Sequence, residues 1–350
     1  MISWETTSPG APLVEVAGET PSPRGSEVLL KMLACGVCHS DIHLHDGVFE
    51  LGHGKQLEVG RPGQVLGHEI YGEVLALGPD AGDHGVAVGE RRVVFPWIGC
   101  GECPACRRGE EQLCMPGRAL GIVAPGGFAD HVLAPHPRYL FDCGEVPGSL
   151  AATYACSGLT AYGALKKVGE IAPGDEVVII GAGGVGMMAI QIARAAFGID
   201  PIVVDIDEAK LEAARRLGVA RTYNSGDPQM AKAIRKACGA GGALAALDFV
   251  GNEASVNFGL ACLRKGGALV VVGLYGGALN MPIPFFPMNA RIIQGSYVGT
   301  LADFAELMKL VRAGKIDPIR ITERPLNEAT AALADLKAGK VEGRQVLVAQ

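Results

Sequence analysis

The 350-residue chain has few aromatic residues, no basic block and no long apolar run. Aromatic residues make up 5% of it, which offers no stacking platform for single-stranded nucleic acid. Lysine and arginine number 31 against 37 aspartates and glutamates, so the net charge of −6 disfavours nucleic acid and anionic membranes as partners. No apolar run approaches the ~18 residues of a membrane span, and the first ten residues lack the features of a signal peptide. We expect a soluble, cytoplasmic protein.

Glycine and cysteine are the residues that stand out. Hydrophobic residues make up 49% of the chain, enough for packed cores, and the length suggests two or three domains. Glycine occurs 50 times, about twice its usual share, which indicates many tight turns. Eight of the 10 cysteines precede residue 157. In a reducing compartment, such clustering favours metal ligation over disulfides.

The pattern of apolar residues changes near residue 155. Before it, short β-type runs alternate with Gly and Pro turns, which is typical of a small β-rich unit. After it, continuous apolar runs that predict buried strands alternate with helical segments. Such alternation predicts a doubly wound α/β domain with a parallel sheet. The predicted strands are 176–180, 202–205, 245–250 and 268–273, and the first two predicted helices are 184–197 and 207–217.

A glycine-rich turn lies at the start of this second region. Gly181-Ala-Gly-Gly-Val-Gly186 directly follows a predicted strand and opens a predicted helix, where it can hold a pyrophosphate. Such a turn alone can be only a turn. Here Asp205 ends the next strand at the ~20-residue distance typical of dinucleotide-binding proteins. A carboxylate there accepts hydrogen bonds from ribose hydroxyls and repels a 2′-phosphate, so we expect NAD and not NADP.

A second motif is a cluster of four cysteines, Cys100, Cys103, Cys106 and Cys114. Four thiolates at this spacing suit a closed tetrahedral zinc site that stabilises a lobe. The main alternative is an iron–sulfur cluster, in which the fourth cysteine usually follows after ~3 residues and precedes a proline. Here the gap is longer and Met115 follows, which favours zinc.

A third group of candidate ligands is scattered along the chain. Cys38, His68 and Cys156 together would make a Cys₂His set, a known arrangement for catalytic zinc with an open fourth position. From spacing alone, each residue could also be packed without a metal. Cys35 and Cys38 could equally be a redox pair.

The motifs together resemble those of one family, the zinc-dependent medium-chain alcohol dehydrogenases. Cys38-His-Ser-Asp-Ile-His43, Gly67-His-Glu69, the four-cysteine cluster, Cys156 and Gly181–Gly186 occur in that family's order, over nearly the whole chain. The resemblance implies an α/β fold built from a GroES-like β-rich catalytic domain and a doubly wound Rossmann domain. The implied ranges are 1–155 for the catalytic domain with a structural zinc lobe at about 99–115, 156–290 for the Rossmann domain, and 291–350 for a return to the catalytic domain.

The resemblance also implies roles at the catalytic zinc. Cys38, His68 and Cys156 would be its ligands. Asp41 would orient the His68 imidazole, and Glu69 would lie behind the metal. Ser40 would take the alcohol proton and pass it, through the cofactor ribose, toward His43.

Further implied residues contact the cofactor. Lys210 would be a second ribose contact, and Tyr297 would lie near the nicotinamide. Arg344 would contact the pyrophosphate, unless it is a solvated arginine before a terminal strand. His39 stands where some members have arginine and should hold the pyrophosphate less tightly. The full set of expected cofactor contacts is His39, Gly181, Gly183, Gly184, Val185, Gly186, Asp205, Lys210, Val272, Tyr297 and Arg344.

The resemblance implies less about the substrate pocket. Phe49 and Trp97 are expected to line it, which suggests an apolar slot for aliphatic or aromatic alcohols. The segment at 48–59 looks longer than in the yeast-type enzymes. The remaining thiols match no ligand position and are interpreted as ordinary buried side chains: Cys35, Cys143, Cys238 and Cys262.

The implied function is NAD-linked interconversion of alcohols and aldehydes or ketones, with two Zn²⁺ per chain and a homodimer or homotetramer as the assembly. Zinc with an open position lowers the pKa of a bound alcohol and polarises a carbonyl in the reverse direction. One alternative is a polyol or threonine dehydrogenase of the same superfamily, in which a glutamate usually replaces Cys156. A non-enzymatic NAD- and zinc-binding protein and a zinc-ribbon nucleic-acid binder are further alternatives, the latter disfavoured by the net charge.

Overall fold

The computed structural model describes residues 1–82, 84–227, 229–239 and 241–349. It divides into two compact units, each assembled from separate parts of the chain. The first unit contains Met1–Val48, Glu58–Leu159 and Thr300–Gln350, and the second contains Phe49–Leu57 and Thr160–Gly299.

The strands, in chain order, are β1 (Ile2–Glu5), β2 (Val14–Ala17), β3 (Val28–Gly36), β4 (Val48–Gly52), β5 (Lys55–Glu58), β6 (Glu69–Leu77), β7 (Arg91–Val94), β8 (His131–Ala134), β9 (Leu140–Phe141), β10 (Val177–Ile180), β11 (Ile202–Asp205), β12 (Thr222–Asn224), β13 (Ala243–Asp248), β14 (Leu263–Val271), β15 (Ile292–Gly295), β16 (Ile321–Pro325) and β17 (Arg344–Val348).

The α-helices are α1 (His39–Asp46), α2 (Pro104–Arg107), α3 (Gly148–Thr153), α4 (Leu159–Lys166), α5 (Gly184–Phe197), α6 (Glu208–Arg216), α7 (Met230–Ala237), α8 (Glu253–Cys262), α9 (Phe285–Asn289), α10 (Leu301–Arg312) and α11 (Ala329–Lys337). Short 3₁₀ turns occupy Glu111–Leu113, Pro137–Tyr139 and Leu326–Glu328, and a π turn occupies Tyr154–Gly158. None of the described helices is long and apolar enough to cross a membrane.

The first unit is built on a seven-stranded sheet in the order β16-β17-β3-β6-β7-β9, with β8 also paired to β3. The central strand β3 is buried along most of its length, and its side chains are apolar on both faces except for the exposed Lys31. The last strand, β17, pairs antiparallel with β3, with Val346 opposite Gly36. The carboxyl-terminal segment therefore returns to the β-rich unit, as the predicted fold class requires.

The second unit contains a six-stranded parallel sheet in the order β12-β11-β10-β13-β14-β15. The strands β10 and β11 are buried at every position, and their sequences are continuously apolar up to Asp205 at the end of β11. The strand order reverses between β10 and β13. In open α/β sheets a ligand binds at the carboxyl ends of the strands beside such a reversal, and the glycine-rich turn follows β10 at that edge.

The unit boundaries differ from the predicted ones. The predicted changes at residues 155 and 291 lie at residues 159 and 300 in the structure. The second difference has a clear cause, because β15 forms a parallel ladder with β14 and so keeps 292–295 in the Rossmann-type sheet. The β4–β5 hairpin also belongs to the second unit, where the Gly277 amide donates to the Glu50 carbonyl.

Candidate functional site

The strand pairing of the first unit brings two predicted zinc ligands together. In the antiparallel ladder of β3 and β6, Gly36 lies opposite Glu69. Cys38 follows the end of β3 and His68 precedes the start of β6, so both flank the same end of the ladder. Cys156 joins them from the π turn between α3 and α4. All three side chains are buried.

The geometry of this cluster fits zinc. The Sγ atoms of Cys38 and Cys156 are 3.9 Å apart. Two sulfurs bound at 2.3 Å to a tetrahedral zinc ion would be separated by about 3.8 Å. The donor atoms of Cys38, His68, Glu69 and Cys156 all lie within 4.8 Å of one another. His68 is fully buried, yet neither ring nitrogen makes a protein hydrogen bond of good geometry, which leaves the imidazole available to a metal.

The two thiols of the cluster differ in acidity. The hydrogen bond between the two sulfurs lowers the pKa of the Cys38 thiol well below its usual value. The same contact raises the pKa of Cys156 well above that value. A zinc ion would bind both residues as thiolates, because the thiolate is the form that ligates metals.

Asp41 lies directly behind these ligands. Its Oδ1 is 3.3 Å from His68 Nδ1 and accepts a hydrogen bond from the Gly67 amide at 3.1 Å. Its Oδ2 accepts from the Cys38 amide at 2.8 Å. The carboxylate is fully buried, so its contacts fix the backbone of two ligands and face the imidazole of one. This is the arrangement by which carboxylates orient metal-bound histidines.

Glu69 and Arg344 form a buried ion pair beside the cluster. Nη2 of Arg344 donates to Oε2 of Glu69, and the two side chains are 5% and 0% exposed respectively. Burial raises the pKa of the Glu69 carboxyl to about 7, against the opposing charge of Arg344. The alternative of a solvated arginine before the terminal strand is therefore wrong. The contact of Arg344 with a pyrophosphate stays a prediction.

The two residues of the predicted proton path lie on α1. The Sγ of Cys38 is 3.9 Å from the Ser40 hydroxyl, which places that hydroxyl beside the metal cluster. His43 is one helical turn further along, and side chains three residues apart share a helix face. It is half-buried, and burial lowers the pKa of its imidazole from the usual 6.5. A neutral imidazole at pH 7 can accept a proton. The neighbouring His39 is exposed.

The predicted pocket residues lie in different units. Trp97, in the first unit, is 3% exposed. Its ring centroid is 5.4 Å from that of His68, and its indole N–H donates to the Ala155 carbonyl at 3.0 Å. Phe49, in the second unit, is partly exposed on β4.

The four-cysteine lobe also has the geometry of a zinc site. The described Sγ–Sγ distances are 3.5 Å for Cys103–Cys106, 3.7 Å for Cys103–Cys114 and 4.0 Å for Cys100–Cys106. These bracket the ~3.8 Å edge of a tetrahedral zinc–thiolate site. Backbone N–H groups of Glu102 and Cys103 donate to Cys100, and they contribute to lowering its pKa to about 6.

Glu111 supports this lobe and was not singled out from the sequence. Its buried Oε2 accepts from the Gly99 amide at 3.0 Å and from the Tyr139 hydroxyl at 2.6 Å, and Oε1 accepts from Arg138 at 2.8 Å. Burial and the Glu111 hydrogen bond raise the pKa of Tyr139 to about 12. The carboxylate thus connects the zinc lobe to the segment that precedes β9. In the sequence, the one indication of this supporting role is the position of Glu111 between the third and fourth cysteines of the lobe.

In the second unit, the three glycines of the fingerprint have distinct environments. Gly181 has φ +93°, which a tight turn requires. A Cβ on Gly186 would lie 1.8 Å from the Gly181 carbonyl oxygen, so α5 packs too closely on the turn for any side chain. A Cβ on Gly183 would have nothing within 4 Å. The turn is therefore open at Gly183, at the amino-terminal end of α5, where a pyrophosphate fits.

Asp205 lies at the end of β11 and contacts this turn. Its Oδ2 accepts from the Ala182 amide at 2.7 Å and its Oδ1 from the Asp207 amide at 2.9 Å. The residue is 7% exposed. The remaining predicted contacts on this unit are at least partly accessible: Gly184, Val185, Lys210, Val272 and Tyr297.

The cysteines outside the two clusters have no disulfide partner among the described residues. Each is buried, and burial raises the pKa of each thiol. This is the environment expected of packed, unreactive thiols: Cys35, Cys143, Cys238 and Cys262.

Both the amino-terminal and the carboxyl-terminal parts of the chain match known protein families. Residues 24–147 match the family described as alcohol dehydrogenase GroES-like domain, and residues 184–313 match the zinc-binding dehydrogenase family. The NAD-dependent alcohol dehydrogenase of Sulfurisphaera tokodaii is 40% identical over 330 residues, 94% of each chain. Acetophenone reductase from Geotrichum candidum in complex with NAD superposes with a TM-score of 0.87 at 28% identity, covering 99% of this chain and 96% of that one. A cobalt- and zinc-bound thermostable alcohol dehydrogenase from Pyrobaculum aerophilum superposes with a TM-score of 0.85 at 26% identity, covering 99% of each.

Proposed function

The chain belongs to the zinc-binding medium-chain alcohol dehydrogenases, and we propose that Cys38, His68 and Cys156 hold its catalytic zinc. It is an NAD-dependent alcohol dehydrogenase, with two clusters that suit a catalytic and a structural zinc. The observation that supports the assignment best is the buried His68 imidazole, whose Nε2 has no protein hydrogen-bond partner, beside two sulfurs 3.9 Å apart. Zinc held by these three residues alone would keep an open position.

Bound there, Zn²⁺ supplies Lewis acidity toward an alcohol or carbonyl oxygen. The side chains perform the other tasks. Asp41 orients His68, and Glu69 with Arg344 places a paired carboxylate behind the ligands. Ser40 accepts the alcohol proton at Oγ and gives up its own hydroxyl proton toward His43, which passes a proton to solvent. The lowered pKa of His43 keeps its imidazole in the accepting form near neutral pH.

The second zinc belongs to the lobe of Cys100, Cys103, Cys106 and Cys114. A zinc ion held by all four thiolates would have no open position, so it would stabilise the lobe and take no part in the chemistry.

The glycine-rich turn holds the pyrophosphate, and Asp205 accepts hydrogen bonds from the adenosine ribose. Each Asp205 oxygen already accepts one backbone amide and has a further lone pair for a hydroxyl. The negative charge at this position opposes a 2′-phosphate, which accounts for a preference for NAD.

The substrates are alcohols and the corresponding aldehydes or ketones. We propose that the pocket accepts aliphatic or aromatic alcohols, because Trp97 presents a buried indole next to His68. A polyol dehydrogenase usually has a glutamate in place of Cys156, and nothing in the geometry favours that alternative.

We also propose a homodimer or homotetramer located in the cytoplasm. β15 is a terminal strand of the parallel sheet, so one of its edges is free of any strand in that sheet. Large apolar side chains in the segment that precedes it are exposed, including Ile283 at 80% and Met288 at 65%, and exposed apolar side chains suit a protein interface. Two clusters of free thiols suit a reducing compartment.

The function is tested by measuring NADH formation with a panel of primary, secondary, aromatic and polyhydroxy alcohols, with NAD and NADP in parallel. We expect turnover with NAD on monohydric alcohols. Exclusive turnover of polyols, or a preference for NADP, would contradict the assignment. Light scattering in the same buffer distinguishes a dimer or tetramer from a monomer.

A further inference from the structure

Trp97 contacts both a ligand side chain and the backbone of a second ligand. Its ring is inclined at 59° to that of His68 at a centroid distance of 5.4 Å. Its Nε1–H donates a hydrogen bond of 3.0 Å to the carbonyl of Ala155, the residue before Cys156. The side chain is 3% exposed, so solvent does not compete effectively for this bond.

The acceptor lies in an unusual piece of helix. Tyr154–Gly158 is a π turn, in which the Leu159 amide donates to the Tyr154 carbonyl five residues earlier. A π turn inserts one residue into a helix, and such turns occur frequently at functional sites. It displaces carbonyls from the regular i→i−4 pattern, so that an outside donor can reach them. The Ser157 hydroxyl donates to the Thr153 carbonyl at 2.7 Å, which gives the turn a second non-regular bond.

The segment that carries Trp97 is fixed on both sides. The Pro96 carbonyl accepts from the amides of Ile98 and Leu120, each at 3.0 Å. The Ile98 carbonyl accepts from the Arg118 amide at 2.8 Å. The indole is therefore presented by an ordered backbone, and it can hold the π turn in one position.

We propose that Trp97 is a positioning residue for the catalytic zinc site, in addition to lining the substrate pocket. Its N–H holds the π turn so that the Cys156 sulfur stays close to that of Cys38, and its ring restricts the orientation of His68. This inference rests on the proposed assignment of Cys38, His68 and Cys156 as ligands. A tryptophan that only lined the pocket would affect substrate binding and leave metal binding unchanged.

The test is the release of zinc from the holoenzyme to a chelator, dipicolinate, without substrate or NAD. The catalytic site has an open position, so its zinc should leave first, and the four-cysteine lobe should release the second ion slowly. Trp97→Phe keeps an aromatic ring but removes the N–H donor. We expect about 10-fold weaker binding of the first zinc, the lower end of the range for residues that support metal ligands. The second zinc should be unaffected.

Trp4→Phe is the matched control, because Trp4 is the other of the two tryptophans and lies on β1. It should release zinc as the wild type does. Unchanged binding of the first zinc in Trp97→Phe would overturn the proposal. Cys156→Ala should abolish the labile zinc; if it does not, the ligand assignment itself is wrong, which is a different result.

A second substitution covers the case in which Trp97→Phe does not fold. In a Trp4→Phe background, the tryptophan analogue 3-benzothienylalanine enters position 97 alone and replaces the N–H by sulfur with almost the same shape. We expect the same 10-fold weakening of the first zinc. Wild-type affinity with this analogue would show that the hydrogen bond has no positioning role and would overturn the proposal.

Discussion

Replacing Asp205 should disturb the glycine-rich turn even before any cofactor binds. The carboxylate accepts hydrogen bonds from the amides of Ala182 and Asp207 at 2.7 and 2.9 Å. The bond to Ala182 is buried, whereas the bond to Asp207 is only partly buried, so water can replace the second more easily than the first. Hydrogen bonds to charged groups contribute about 1.5–3 kcal/mol each. Asp205→Ala should therefore destabilise the turn by about 2 kcal/mol, mostly through Ala182.

The direct readout is amide hydrogen exchange in a peptide spanning 178–187, measured without cofactor. A loss of about 2 kcal/mol corresponds to an approximately 30-fold faster exchange of the Ala182 amide. Asp205→Asn keeps one acceptor oxygen and should fall between the wild type and Asp205→Ala. Asp207→Ala is the matched control, because Asp207 caps α6 through the Ala209 amide and its side chain does not contact the turn.

The same variant has a consequence for cofactor choice. Asp205→Ala should weaken NAD binding and raise the affinity for NADP relative to NAD, because it removes the repulsion of a 2′-phosphate. Its absolute affinity for NADP, measured by calorimetry, should stay below the wild-type affinity for NAD, because the turn is less ordered. Wild-type exchange at Ala182 together with tight NADP binding would refute the idea that Asp205 supports the turn.

Four further predictions concern other parts of the molecule. Glu111→Gln should lower the free energy of unfolding in urea by about 2 kcal/mol and speed zinc loss from the four-cysteine lobe, because it removes the charge that Arg138 and Tyr139 contact; equal stability would contradict this role. Gly183→Ala should leave the melting temperature unchanged but weaken the binding of NAD by about 10-fold or more, because the new methyl group fills the pyrophosphate position. Gly186→Ala should lower both the melting temperature and the affinity for NAD, because its Cβ would lie 1.8 Å from a carbonyl oxygen. Ser40→Ala should slow the chemical step about 10²–10⁴-fold at every pH. His43→Gln should cost about 10-fold or less and remove a rate inflection below pH 6.5, where protonation of the wild-type imidazole stops proton acceptance; an unchanged pH profile would show that His43 has no such role.

The features that could be predicted from the residues alone are those encoded over short distances. The four cysteines of the lobe lie within one short loop, and the glycines lie within one turn after a buried strand. In both cases the spacing fixes the approximate geometry. The α/β character of the second unit was also accessible, because strands buried on both faces are continuously apolar.

The catalytic cluster could not be derived in the same way. Cys38 and Cys156 are separated by 118 positions, and their sulfurs meet only because of the tertiary fold. The register that places Gly36 opposite Glu69 brings His68 to Cys38, and no local periodicity specifies it. The family resemblance identified these residues where spacing left alternatives open.

Other features depend on packing that a sequence pattern does not show. The π turn at Tyr154–Gly158 has an ordinary helical composition, and the role of Trp97 beside it follows only from the hydrogen bond to Ala155. Glu111 is one of two adjacent glutamates in a polar loop, and only its burial in the structure distinguishes it from Glu110. The place of residues 292–295 also depends on packing, because β15 is a short strand whose membership of the parallel sheet is decided by pairing with β14.

The most direct test of the account is the zinc content and the NAD-dependent activity of Cys38→Ala beside the wild type. We expect two zinc ions per wild-type chain, one per Cys38→Ala chain, and no NADH formation by the variant, with its circular dichroism spectrum unchanged. The zinc that remains should be the structural one, which a parallel Cys103→Ser variant should lose together with thermal stability. Retention of two zinc ions or of activity by Cys38→Ala would contradict the assignment of the catalytic site.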